Sequence, residues 1–217
     1  MAEYFDDITM DDERLDALRQ DFFSYYRRMR SNLFSDTETM YETKLTAEIF
    51  DLKLQQLSQD KKQSEFENFA ISIASRLITP NIKPQTGPDG GGDGKVDGET
   101  YPVDKIISDK WWVSEGSVGD QKWAIAISVQ KNWQSKVESD VKKAVETKRG
   151  YTKLLYFTNQ KIKSSTRQAK EDELARQYGI AVSIFDGKWF SFAVFEQGCL
   201  DVAIEKLNFS DEYRKKM

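Results

Sequence analysis

Histidine is absent from this chain, and cysteine occurs once, at Cys199. Without imidazole there is no Ser-His-Asp or Cys-His site, no histidine general base and no zinc site built on imidazole. A single cysteine cannot close an internal disulfide, which fits a reducing cytoplasm. No apolar run approaches the roughly 20 residues a membrane span needs, so no membrane partner is expected. The opening "MAEYFDDITMDDERL" lacks the basic and apolar regions of a secretory signal. Hydrolytic chemistry in such a chain must come from carboxylates, lysine and a hard cation.

What is present is mostly charge, unevenly placed. Of the 217 residues, 31% are charged and 39% hydrophobic, and the net charge is −4. Residues 1–60 hold fourteen Asp and Glu against seven Lys and Arg, which leaves 22 acidic and 25 basic residues for 61–217. The overall acidity therefore says little about any one face of the second part.

Apolar spacing predicts helices over 11–35, 44–58 and 64–78. Phe66, Phe69, Ala70, Ile73 and Leu77 make the stripe of the third, and the prolines of "TPNIKP" stop it. Beyond residue 95 the pattern changes. "KVDGETYPV" reads as a strand or tight hairpin, and "KWAIAISVQ" as a central strand buried on both faces. Helix 135–150, strand "TKLLYFT", helix 164–179 and strand "IAVSIF" follow, then "GKWFSFAVF" and a helix near 196–206. Strand–helix–strand–helix–strand implies βαβ crossovers and a mostly parallel sheet. The fold class expected is α/β, a central mixed sheet flanked by helices. Residues 1–60 are expected to form an N-terminal helical extension and 61–217 the main domain.

Between these halves lies "GPDGGGDGKVD", with five glycines and three aspartates in the eleven residues 87–97. A phosphate-binding P-loop does not fit, because Val96 stands where Ser or Thr should follow Gly94-Lys95. A calcium loop starting at Asp89 lacks a ligand at Gly91 and the bidentate glutamate at Thr100. A solvated turn leading into a strand is the plain alternative. The remaining reading uses the neighbours. A glycine loop lets a phosphate backbone approach, the aspartate at the start of the strand binds Mg²⁺, and a polar pair ending the next strand completes a hydrolytic site.

The order of "FENFA", the glycine loop, "DGKVD" and an apolar strand ending "SVQK" resembles the PD-(D/E)xK nuclease superfamily, in particular its Mrr-like restriction endonuclease branch. The resemblance spans about residues 64–185, and "LLYFTNQ" resembles that branch's strand-and-Asn segment. It implies a restriction-endonuclease-like core and Mg²⁺-dependent cleavage of DNA, with Mn²⁺ able to substitute, in bacterial restriction or antiphage defence. Asp97 matches the metal-binding aspartate, Asp93 the aspartate that begins the element, and Glu67 the helix glutamate that assists the metal. The last motif departs from the pattern. The family places an acidic or amide residue and a lysine two apart, whereas this chain has Ser128-Val129-Gln130-Lys131. A small bulge would bring Gln130 and Lys131 to one side, where they would place and activate water.

Lys95 in the loop, and Lys136, Lys142 and Lys143 after the strand, are the expected nucleic-acid contacts; a solvated helix face is the other explanation of the later three. Residues 104–122 look like an insertion, whose Trp111 and Trp112 either cap the core or stack on a nucleotide. Alternatives from other classes are an inactive nuclease fold used for nucleic-acid binding or assembly, and an RNA-directed nuclease. Such modules often sit at the N-terminus of large defence proteins. The chain is thus expected to be a fragment or a free-standing member, with a larger defence complex, further domains or a homo-oligomer as partners.

Overall fold

The computed structural model describes residues 41–84, 96–102, 121–209 and 213–216, all within one compact unit, Thr39–Met217. The expected helix at 11–35, Asp93 and Lys95 of the glycine loop, and Trp111 and Trp112 lie outside the described residues.

In chain order the elements are β1 (Tyr41–Thr43), α1 (Ala47–Gln59), α2 (Gln63–Leu77), β2 (Ile82–Pro84), β3 (Gly98–Thr100) and β4 (Trp123–Ser128). They continue with α3 (Trp133–Glu146), β5 (Lys153–Thr158), α4 (Ser164–Tyr178), β6 (Ala181–Phe185), α5 (Gly187–Phe195), α6 (Leu200–Lys206) and β7 (Arg214–Lys216). Five strands form one mixed sheet in the order β2-β3-β4-β5-β6, and β1 pairs with β7 apart from it. The first two junctions are antiparallel and the last two parallel. The two crossovers of the parallel half are α3 and α4, as the alternating pattern requires.

Alternation along β4 and β5 assigns the two faces. Ile125, Ile127, Leu155 and Phe157 pack with α1, α2, α5 and α6 in one apolar cluster. Ala124, Ala126, Leu154 and Tyr156 pack on the other face with Val137 and Val141 of α3 and Leu174 of α4. All six residues of β4 are buried, which explains its near-continuous apolar sequence. Helix α1, read from sequence as part of the 1–60 extension, buries Phe50, Leu54 and Leu57 in the same cluster as the sheet. Residues 44–60 thus belong to the core.

The segment "GKWFSFAVF" forms α5. Asp186 caps it, accepting from the Trp189 amide at 3.1 Å through one oxygen and from the Ile162 amide at 2.9 Å through the other. Gly187 sits against the end of β5, where an added Cβ would meet the Asn159 carbonyl oxygen at 2.9 Å. Any side chain there would push α5 off the sheet.

Candidate active site

The candidate site lies where β4 ends. Its ladder with β5 runs to Ser128, paired with Thr158, and then the chain leaves the sheet. The Gln130 amide donates to Ser128 Oγ at 3.1 Å, curling the backbone just beyond the strand. Gln130 and Lys131 reach the same side by this exit, and no bulge within the strand is needed.

Helix α2 fixes the strand end through Gln63. Its Nε2 donates to the Ile127 carbonyl and to Glu67 Oε1, both at 2.8 Å, while its Oε1 accepts from the Val129 amide at 3.2 Å. One amide side chain thus satisfies two backbone groups beyond the pairing with β3 and orients the helix glutamate. Spacing could have revealed it, because residues four apart share a helix face and Gln63 precedes Glu67 by four. On the other side of Val129, its carbonyl accepts from Ser58 Oγ at 2.6 Å. Asn159, which is buried, donates to the Leu54 carbonyl at 2.6 Å and to Ser58 Oγ at 2.8 Å. Gln63→Ala should leave three polar groups short of partners and lower stability by about 1–3 kcal/mol, read from urea unfolding. A loss under about 0.5 kcal/mol would mean that water replaces this clamp.

Asp97 precedes β3 and continues its pairing. Its amide donates to the Ile125 carbonyl at 2.9 Å, and its Oδ2 accepts from the Ile127 amide at 2.6 Å. The carboxylate takes the place of the backbone acceptor that a longer β3 would have offered. Burial raises the Asp97 pKa to about 6; the Ile127 amide opposes this, the charges of Glu67 and Asp140 add to it, and Lys136 opposes it. Glu99, two residues on, behaves differently. Burial also works against its charge, but hydrogen bonds from Tyr151 and Lys122, with the charge of Arg149, hold its pKa below the usual range. A carboxylate satisfied like Glu99 is a structural ion pair, whereas a desolvated one beside another carboxylate, like Asp97, is a candidate for a reactive position.

Asp97, Glu67, Gln130, Lys131 and Lys136 line one cavity of about 530 Å³, together with Gln63. Three chain segments far apart in sequence, 58–67, Asp97 and 127–136, supply them. Lys131 also lines an adjoining hollow of about 280 Å³ with Lys161 and Asn159. On α3, Lys143 lies two turns from Lys136 on the same stripe, while Lys142 is turned away around the helix; both are exposed.

Among the described residues, no three Asp, Glu, His or Cys side chains are grouped to hold a metal ion. Asp97 and Glu67 are two carboxylates on one cavity. That set suits Mg²⁺, which commonly takes one or two carboxylates and completes its shell with water and substrate phosphate, and Mn²⁺ accepts the same oxygen ligands. Among the described residues, no helix is long and apolar enough to cross a membrane. Compared with protein-family models and with curated proteins, the chain matches none.

Proposed function

We propose that this protein is a metal-dependent endonuclease that hydrolyses DNA phosphodiester bonds, built on a restriction-endonuclease-like core. The observation that carries this reading is the meeting of Asp97, Glu67, Gln130 and Lys131 on one cavity wall. The order of α2, β2, β3, β4, α3 and β5 supports the core assignment, with the aspartate entering β3 and the Gln-Lys pair leaving β4. Bacterial restriction or antiphage defence is the setting that the resemblance implies.

Asp97 and Glu67 would hold the cation, Mg²⁺ or Mn²⁺. When bound there, the cation supplies a water of lowered pKa and stabilises charge on the phosphate. Gln63 keeps Glu67 aimed at the cavity by its hydrogen bond. Gln130, a neutral amide, places water and takes up no proton. The family pattern gives the activating lysine to Lys131. Lys143 extends positive charge along α3 towards the flanking phosphates, whereas Lys142, turned away around the helix, contributes only to the wider field.

One observation favours a second reading, a nuclease fold that binds nucleic acid without cutting it: the strand-end position holds Gln130 where a carboxylate would add a ligand. Supercoiled plasmid, linear duplex and single-stranded RNA, each with Mg²⁺, Mn²⁺ or EDTA, separate the readings. The nuclease reading expects nicked or linear DNA with either metal and none in EDTA. Binding without cleavage would establish the second reading, and cleavage of RNA alone would redirect the substrate assignment.

Replacing Lys142 and Lys143 with alanine should reduce the slope of log affinity against log salt by about 0.9 for each phosphate no longer neutralised. An unchanged slope would return them to a solvated helix face.

A further inference from the structure

The cavity holds two lysines, and they are held very differently. Lys131 is exposed on the bend after β4, at the rim shared with the adjoining hollow. Lys136, in the first turn of α3, is largely covered, and its Nζ lies 2.5 Å from Asp140 Oδ1. Asp140 is itself 4% exposed, and its second oxygen is buried without a hydrogen-bond partner. Stability does not explain this pair. A cation in the first turn opposes the helix dipole, and no acidic residue in that turn offsets it. A buried carboxylate left half satisfied is also costly. The cation that acts on the charge of Asp97 is Lys136.

We propose that Lys136, presented by α3 and held by Asp140, is the catalytic lysine that works beside Asp97, and that Lys131 is a phosphate contact on the rim. This rests on the nuclease reading above. In the reaction, the oxygen of water bonds to phosphorus and the bond from phosphorus to the leaving oxygen breaks. The proton released from water ends on that leaving oxygen by way of solvent. Lys136 stays an ammonium throughout, donating to a non-bridging oxygen of the scissile phosphate as negative charge builds there. A strand-end lysine on an exposed bend must be ordered at each turnover, whereas one already fixed on a buried carboxylate costs little further entropy to aim. Asp140 is a positioning residue, because it acts through Lys136.

The test compares the full chain with Lys136→Ala, Lys136→Arg, Lys131→Ala, Asp140→Asn and the double variant Lys136→Ala with Asp140→Asn. Single-turnover cleavage of plasmid at saturating enzyme is measured in Mg²⁺, and duplex binding in EDTA across a salt series. Lys136→Ala should lose about 100- to 1,000-fold in saturated rate, the scale of removing one preorganised donor, far more than its loss of duplex binding. Lys136→Arg should recover part of the rate by restoring charge. Lys131→Ala should lower the salt slope by about 0.9 and lose far less of its saturated rate than Lys136→Ala does. Asp140→Asn should slow cleavage by itself yet add nothing to Lys136→Ala, since it acts through that residue.

Should Lys136→Ala leave a buried carboxylate that unfolds the chain, the double variant removes both charges and is expected to show the same loss of rate. A wild-type rate in Lys136→Ala or in the double variant would overturn the proposal, and an inactive Lys131→Ala beside it would return the role to the strand end. Absence of metal-dependent cleavage by the wild-type protein would overturn the nuclease reading itself, and this proposal with it.

Discussion

Asp97→Asn should abolish metal-dependent DNA cleavage and, in the absence of metal, make the fold more stable at alkaline pH. The two effects share one cause. Burial raises the carboxyl pKa to about 6 from the ordinary 3.8, so the folded state holds this proton more tightly than the unfolded chain does. Ionised Asp97 therefore costs stability above pH 6, and the cost disappears as pH falls through 6 towards 4. Its upper size is about 3 kcal/mol, from 1.36 kcal/mol for each pKa unit. Asparagine keeps an acceptor for the Ile127 amide and carries no charge, so it removes the cost and the proposed ligand together. Urea unfolding in EDTA should show wild-type stability rising from about pH 8 to about pH 5, with a flatter curve for the variant. Adding Mg²⁺ should stabilise the wild type and not the variant, because ligand binding to the folded state adds stability. A variant that cleaves DNA like the parent would remove Asp97 from the metal site. A variant less stable at pH 8 would make it a structural cap on β4 instead.

Phe190→Ala should be the most damaging core substitution. The ring is fully buried in α5, with centroids 5.3 Å from Phe66, 5.1 Å from Phe69 and 6.1 Å from Phe157. It joins α2, α5 and β5 at one point, so a small residue leaves a cavity that three elements cannot close together. The expected loss is about 3–5 kcal/mol. At about 2–4 °C for each kcal/mol in a chain of this size, the melting temperature should fall by roughly 6–20 °C, followed by circular dichroism. A loss under about 1 kcal/mol would mean that α5 repacks on the sheet, and that α2 is held by α6 and the strands alone. Because α2 carries Gln63 and Glu67, the same substitution should also raise the metal concentration needed for activity below the melting range.

What the amino-acid sequence determined by itself is the alternation of strands and helices from β4 to β6 and the burial of β4 on both faces. The apolar run 123–128 reads as a strand buried on both sides, and the helices between strands imply that β4, β5 and β6 run parallel, as they do. The stripe Phe66, Phe69, Ala70, Ile73 announced α2 by period alone, within one or two residues of its ends. Motif order, rather than period, singled out Asp97, Glu67, Gln130 and Lys131 through their places next to those elements. Neither gave warning that 187–195 is a helix, because "GKWFSFAVF" is apolar almost throughout and carries no clear period; the capping by Asp186 decided it.

Tertiary structure alone decided which side chains meet. Alternation along β4 put Gln130 and Lys131 on opposite faces, and they share a wall because the chain leaves the sheet at Ser128 and curls on its hydroxyl. Gln63 became the clamp of that exit through bonds to residues 64 and 66 positions away, beyond the reach of any local pattern. The boundary of the core was likewise a matter of packing, since α1 looks like any amphipathic helix until Phe50 and Leu54 are found under the sheet. The burial that raises the Asp97 pKa belongs to surroundings assembled from distant segments, whereas the Lys136–Asp140 pair is local to α3 and only its burial is tertiary. Desolvation depends on what covers a group, and the chain folds that cover into place from residues that no window around Asp97 contains.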